Sequence, residues 1–125
     1  GTSWAAVEMY RQTDPIRKPL CRTYIDWGIP TVEALCGLSD LPEDILRISS
    51  GGLRDGLDVA KSIALGADLA GFARKFIIAA NAGYETLKET IELIMLELKV
   101  AMFVSGASNL NELRAKLDKE SNDEK

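Results

Sequence analysis

The chain has 125 residues, of which 46% are hydrophobic and 27% charged, a size and balance typical of one globular domain. A formal net charge of −4 with no basic stripe argues against nucleic-acid binding. The sequence contains no uninterrupted run of about 20 apolar residues, so it predicts no membrane-spanning helix. The sequence contains no histidine, which excludes Ser-His and Cys-His nucleophile pairs and most zinc sites.

The first 30 residues predict one helix followed by an irregular segment. A hydroxyl side chain at Thr2 or Ser3 can accept a hydrogen bond from the first turn of a helix, so a helix is expected directly after it. Pro15 and Pro19 lie in the next stretch, where each removes a backbone donor and blocks a long helix. We therefore predict irregular structure over 14–28.

Short helices and strands alternate in the next part of the sequence. The elements expected in chain order are a helix over 32–36, a buried strand over 44–50, a helix over 54–66, a strand over 67–73 and a short helix over 74–83. Thr31 is the expected N-cap of the first of these helices, and Gly37 its C-cap. In the helix over 54–66, Leu57, Ala60 and Ile63 recur on one side, which predicts a core-facing surface.

The carboxyl-terminal part predicts a long apolar helix over 84–106, a helix over 108–117 and a polar tail over 118–125. Two strands that alternate with helices indicate a parallel pair joined by a crossover helix, and hence the α/β class. A parallel sheet needs cover on both faces and more strands than two. We therefore expect the chain to be a piece of a longer protein.

A candidate phosphate-binding turn follows the first predicted strand. Gly51 and Gly52 lack a Cβ, so their backbone can adopt positive φ and approach a ligand closely. Their N–H groups, after Ser50, can form an anion nest to which Arg54 would add charge. The second strand ends next to Arg74, and ligands of α/β folds sit at the carboxyl ends of strands. A pair of glycines by itself is more typical of a tight turn than of a phosphate site.

Several segments together resemble type 2 isopentenyl diphosphate isomerase, the flavin-dependent enzyme of isoprenoid synthesis, and in particular its archaeal form. The segments are "GTSW", "DWGIPT", "SSGGLRDGLDVAKSIALGADLAGFAR" and "LELKVAMFVSGASNLNEL", in that order. The resemblance covers all but the tail. It implies that residues 1–117 are the carboxyl-terminal segment of a single TIM (β/α)8 barrel, including about strands seven and eight.

The resemblance also implies a cofactor site and an activity. The phosphate of FMN would meet the backbone of Gly51, Gly52, Leu53, Ala73 and Arg74, and Thr2 matches a threonine near the flavin. The implied reaction interconverts isopentenyl and dimethylallyl diphosphate with reduced FMN, NADPH and Mg²⁺. The residues that bind the metal and the substrate diphosphate would lie upstream of this segment, so this chain alone is expected to be inactive. A homo-oligomer is also implied.

Two other functions stay open at this point. FMN-dependent 2-hydroxy acid oxidoreductases share a similar glycine pattern, but they use a histidine that this sequence lacks. A non-catalytic half-barrel that only binds phosphate would also fit the isolated chain. Trp4 and Trp27 are expected to be buried, although either ring could stack on a flavin. The widely spaced Cys21 and Cys36 are expected to be free, buried thiols in the cytoplasm.

Overall fold

A computed structural model describes residues 2–42 and 44–116, which divide into two compact units between Pro30 and Thr31. The elements in chain order are α1 (Trp4–Arg11), α2 (Arg17–Thr23), α3 (Thr31–Cys36), β1 (Ile48–Ser50), α4 (Gly56–Ala64), β2 (Leu69–Gly71), α5 (Arg74–Ala82), α6 (Tyr84–Val104) and α7 (Leu110–Arg114). The predicted tail over 118–125 lies outside the described residues. The assignment of 1–117 to one barrel domain stays a prediction.

The first unit contains one helix that the sequence predicted and one that it did not. The Ser3 side chain accepts a hydrogen bond from the N–H of Ala6, which confirms Ser3 as the N-cap of α1. The prediction of irregular structure over 14–28 is wrong, because α2 forms there. Pro19 is tolerated because it lies in the first turn, where an N–H has no intrahelical partner. The Asp14 carboxylate starts this turn by accepting from the N–H groups of Ile16 and Arg17.

The second unit opens with α3, whose end was predicted correctly and whose beginning was not. The N–H of Gly37 donates to the carbonyl oxygen of Glu33 at 2.9 Å, so the helix ends where expected. Thr31 was expected to cap this helix with its side chain. Its hydroxyl instead donates a hydrogen bond of 2.8 Å to the carbonyl oxygen of Gly51, the residue that follows the strand over Ile48–Ser50.

The strands β1 and β2 form a parallel pair in which Ile48, Ser49 and Ser50 lie opposite Leu69, Ala70 and Gly71. The α/β class and the crossover helix α4 are therefore confirmed. Both strands are shorter than predicted, and β1 is not buried throughout: Ser49 is 1% exposed, whereas Ile48 is 58% exposed. The reason is that α4 covers one face of the pair, where the Ser49 hydroxyl donates to that of Ser62 at 2.9 Å.

The core of the second unit lies between α4, α6 and α7. Its buried cluster consists of Val59, Ala60, Ile63, Ile94, Ala107 and Leu113. Ala60 and Ile63 were predicted to face the core, but Leu57 is half exposed. The helix is rotated so that Gly56 makes a close approach to α6, while Leu57 lines an open groove beside the same helix. The Gly56 N–H donates to the Glu97 carboxylate at 2.7 Å, and a Cβ on this glycine would collide with the α6 backbone.

The helices α5, α6 and α7 confirm the three predicted in the last part of the sequence. The side chain of Asn109 accepts from the N–H of Glu112, so Asn109 is the N-cap of α7. The apolar side chains of α6 are only partly buried, since Ile94 lies in the core while Phe103 is exposed. Within residues 2–42 and 44–116, no helix combines the length and the apolarity that crossing a membrane requires.

Candidate functional site

The carboxyl ends of β1 and β2 lie side by side, as the sequence predicted. Ser50, the last residue of β1, is the register partner of Gly71, the last residue of β2. The residues that leave the two strands therefore start from the same edge of the sheet. On one side this is the glycine loop (residues 51–54), and on the other it is the turn into α5.

The backbone of the glycine loop adopts the conformation predicted for its first two residues. Gly51 has φ 113° and Gly52 has φ 79°, in the left-handed region that side chains with a Cβ rarely enter. The carbonyl oxygen of Gly51 is held by the hydroxyl of Thr31. A pocket of about 160 Å³ opens beside the loop, lined by residues of the loop, α3 and α4. The conformational freedom of the two glycines thus allows a turn with one defined shape, which the hydrogen bond from Thr31 stabilises.

Asp58, in the first turn of α4, binds the end of the glycine loop. Its Oδ2 accepts from both the backbone N–H and the Nε of Arg54, each at 3.1 Å. The hydrogen bond from Arg54 holds the pKa of the Asp58 carboxyl below its ordinary value, and the same contact raises the pKa of Arg54. Arg54 was predicted to face a phosphate. Its side chain is 79% exposed with its Nε committed to Asp58, and a role toward phosphate stays a prediction.

From their positions in the sequence, Asp55 is expected to cap α4 and Lys61 is expected to pair with Asp58 at the surface. The Asp55 side chain accepts from the N–H of Asp58, which confirms it as the N-cap of α4. Lys61 Nζ lies 3.8 Å from Asp58 Oδ1, as expected for a surface ion pair. Such an exposed pair contributes little to stability.

The turn after β2 brings α5 to the same edge. Ala73 precedes α5 and Arg74 is its first residue. The first turn of α5 contacts the glycine loop, because Lys75 Nζ donates a hydrogen bond to the carbonyl oxygen of Arg54 at 2.6 Å. In the described part of the chain, the N–H groups of Gly52, Leu53, Ala73 and Arg74 have no protein acceptor. These N–H groups remain available to an anion at the sheet edge.

Thr2, which was predicted to lie near the flavin, belongs to the first unit. It lines a cleft of about 410 Å³ together with Trp4 and Trp27. The prediction that the two tryptophans are buried is wrong, because they are 76% and 81% exposed. Both rings stand at the surface of this short helical unit, whose single helix pair offers little apolar area to cover them.

Three residues that contact the glycine loop, Thr31, Asp58 and Lys75, were not assigned to the cofactor site by the sequence reasoning, although the sequence allowed Asp58 to orient Arg54. Thr31 resembled an N-cap, and Asp58 resembled a surface partner of Lys61. The available signal was the position of Asp58, four residues after Arg54 and in the first turn of a helix that follows a glycine pair. Nothing in the sequence around Lys75 distinguishes it from a solvated lysine.

Among the residues that the structure describes, neither the cysteines nor the acidic side chains build a further site. Cys21 and Cys36 are free thiols, as predicted, but the expectation that both are buried is wrong, since Cys36 is exposed. It lies at the end of the short α3. In the ranges 2–42 and 44–116, no cluster of three or more His, Cys, Asp or Glu side chains could hold a metal ion.

Comparison with known proteins identifies the family to which this chain belongs. A family model described as FMN-dependent dehydrogenase matches residues 24–119. The chain therefore belongs to the FMN-dependent dehydrogenase family. The matched range contains β1, the glycine loop, α4, β2 and α5.

Individual relatives carry a more particular name, isopentenyl-diphosphate delta-isomerase. The protein of this name from Nostoc sp. is 45% identical over 114 residues, which are 91% of this chain and 33% of the relative. That from Sulfurisphaera tokodaii is 44% identical over 91% of this chain and 31% of its own, and that from Rickettsia bellii is 40% identical over 91% and 33%. The resemblance to isopentenyl diphosphate isomerases is thereby confirmed. The chain spans about a third of the length of the curated relatives it matches.

Proposed function

We propose that this chain is the FMN-phosphate-binding part of an isopentenyl-diphosphate isomerase. The observation that carries the proposal is the parallel register of Ser50 and Gly71, which joins the glycine loop and the start of α5 at one edge. The names of the relatives support the isomerase activity. In the complete protein, β1 and β2 would be about strands seven and eight of a TIM (β/α)8 barrel, with the amino-terminal part supplying the others.

The described residues fit the phosphate of FMN in shape and in charge. The two consecutive glycines with positive φ keep side-chain atoms away from the backbone, so a phosphate oxygen can approach the N–H groups. Gly52, Leu53, Ala73 and Arg74 would each offer one such N–H. Arg54 and Arg74 would add positive charge. A phosphate is a suitable ligand for such an array of backbone donors.

The residues of this chain would bind and orient rather than transfer protons. The chemistry that bound, reduced FMN supplies is proton exchange at a ring nitrogen, which suits a 1,3-allylic shift in a chain without histidine. Gripping the phosphate fixes one end of the cofactor, so the ring is held in one orientation toward the substrate. Thr2 would lie near the flavin, and Ser50 would begin the phosphate turn.

The remaining features of the proposal concern the whole protein. Isopentenyl diphosphate would be the substrate, NADPH would reduce the flavin, and Mg²⁺ would bind the substrate diphosphate through residues upstream of this segment. We further propose a cytoplasmic homo-oligomer. The names of the relatives favour isomerase activity over a 2-hydroxy acid oxidoreductase and over a non-catalytic phosphate-binding half-barrel.

Substitution of Gly52 by valine in the complete protein tests the phosphate site. Gly52→Val forces a β-branched residue into positive φ and places its methyl groups where the phosphate would approach, so FMN should no longer be retained. The measurement is FMN affinity by fluorescence titration, paired with conversion of isopentenyl diphosphate in the presence of NADPH and Mg²⁺.

Gly83→Val is the matched control for backbone strain. Gly83 also has positive φ, at 129°, and a Cβ there would meet nothing within 4 Å. This control should keep FMN affinity. Unchanged flavin binding in Gly52→Val would contradict the proposed site, and a wild-type protein that binds FMN but does not convert isopentenyl diphosphate would contradict the proposed activity.

A further inference from the structure

We propose that Thr31, Asp58 and Lys75 are positioning residues that hold the glycine loop in its phosphate-binding shape and so make the site select FMN over riboflavin, which lacks the phosphate. This inference rests on the proposed function. The three side chains come from three different helices, α3, α4 and α5, and none of them belongs to the loop. Each binds a different peptide group of the loop.

Thr31 holds the first residue of the loop. Its hydroxyl donates to the Gly51 carbonyl oxygen at 2.8 Å, and Thr31 itself is half-buried. Gly51 has φ 113°. Fixing a glycine in one conformation costs more backbone entropy than fixing any other residue. A hydrogen bond to its carbonyl selects one of the orientations that this peptide group could otherwise adopt.

Asp58 and Lys75 hold the last residue of the loop from both sides. Asp58 Oδ2 accepts from the Arg54 N–H at 3.1 Å, and Lys75 Nζ donates to the Arg54 carbonyl oxygen at 2.6 Å. Both contacts carry a formal charge on one partner, which makes them stronger than neutral hydrogen bonds. The Lys75 contact also links the glycine loop, which follows β1, to α5, which follows β2.

The role of these contacts is indicated by which peptide groups of the loop have a hydrogen-bond partner and which do not. The carbonyl oxygens of Gly51 and Arg54 and the N–H of Arg54 are taken by the three side chains. In the described part of the chain, the N–H groups of Gly52 and Leu53, which lie between them, have no acceptor. The two fixed ends therefore present two free donors side by side, which is the arrangement an anion requires.

The consequence is selectivity for the phosphate-bearing form of the flavin. A loop that is already in its binding shape loses less entropy when an anion binds. Only FMN gains from this effect, since riboflavin has no phosphate to contact the loop. Loosening the loop should therefore weaken FMN binding and leave riboflavin binding unchanged, whereas a general loss of stability would weaken both.

The test uses the complete protein and two ligand titrations, one with FMN and one with riboflavin. Thr31→Val removes the hydroxyl at nearly constant volume, and Lys75→Met removes the charged donor. Each should lower the riboflavin-to-FMN ratio of dissociation constants about fivefold, as expected for one lost hydrogen bond. Thr31→Ser and Lys75→Arg retain a donor and are the conservative controls, in which the ratio should stay within about twofold of wild type.

The outcomes separate this inference from the proposed function. If wild-type protein binds FMN far more tightly than riboflavin but the ratio is unchanged in Thr31→Val and Lys75→Met, the positioning role is wrong and the phosphate site stands. If both flavins weaken equally in these variants, the residues act on stability only and the inference is overturned. If wild-type protein does not distinguish the two flavins, the proposed phosphate site itself fails.

Discussion

The segment from Thr31 onward and the first 30 residues differ in how their helices are held. The helices α4, α6 and α7 share a buried cluster that includes Ile63, Ile94 and Leu113. In the first unit, Met9 alone is buried among residues 2–30. Its helices instead depend on local contacts such as the Ser3 cap and the Asp14 turn. Similar local signals therefore start helices in both units, whereas a buried cluster of several side chains joins the helices of the second unit.

The largest expected difference between the two units comes from adding one methyl group to a glycine. Gly56→Ala should destabilise the protein by about 3 kcal/mol or more, because its Cβ would lie 2.5 Å from the Cβ of Glu97 and even closer to the α6 backbone. Gly28→Ala, in the first unit, has nothing within 4 Å of the added Cβ and should change stability by less than about 0.5 kcal/mol.

Urea unfolding of the complete protein measures both variants. The prediction is a large fall in the unfolding midpoint for the first substitution and an unchanged midpoint for the second. Equal effects at the two glycines would mean that the close approach of α4 and α6 does not govern stability in the second unit.

A smaller effect is expected where a helix depends on its cap. Ser3→Ala should lower the stability of α1 by about 1 kcal/mol, because the N–H of Ala6 loses its acceptor and the carbonyl oxygen of Ile25 loses its donor. Hydrogen exchange of the α1 amides measures this change, with Thr13→Ala as a control outside the helix. Unchanged protection in Ser3→Ala would show that packing, and not the cap, holds this helix.

The smallest effect at neutral pH is expected at Asp68, which joins β2 to its surroundings. Its carboxylate accepts from the Arg47 N–H and from Arg114 Nη2, each at 2.8 Å. These hydrogen bonds hold the pKa of Asp68 below its ordinary value, and the one from the Arg47 N–H has the largest effect. A depressed pKa in the folded state adds stability above about pH 4 that is lost as the pH falls through the folded value.

Comparison of wild type with Asp68→Asn over a pH series checks this sign. The difference in unfolding free energy should be constant near neutrality and should shrink below about pH 4, where wild type also becomes protonated. Arg114→Met should reduce the same pH dependence, since it removes one of the two donors. A difference that does not change with pH would contradict the account.

Much of the second unit could be predicted from sequence because independent local signals agreed there. Asp55 caps α4 and Asn109 caps α7, and the apolar spacing of Ala60 and Ile63 indicated the packed face. The rotation that exposes Leu57 could not be predicted, because it depends on the approach of Gly56 to α6. Helix periodicity alone does not show which edge of an apolar stripe another helix will cover.

The candidate site shows the same division between local and tertiary information. The positive φ of Gly51 and Gly52 was expected from their lack of a Cβ, and the parallel pairing of β1 and β2 was expected from the crossover pattern. The contact from Thr31 to Gly51 spans 20 positions, and that from Lys75 to Arg54 spans 21. Such contacts carry no periodic or motif signal, so a single sequence does not reveal them.

The central claim is that free backbone N–H groups at the paired strand ends bind the phosphate of FMN. A crystal structure of the complete protein with FMN tests it most directly. The account predicts phosphate oxygens within about 3 Å of the amide nitrogens of Gly52 and Leu53 and of the start of α5. A phosphate bound elsewhere in the protein, with these N–H groups turned away from it, would contradict the claim.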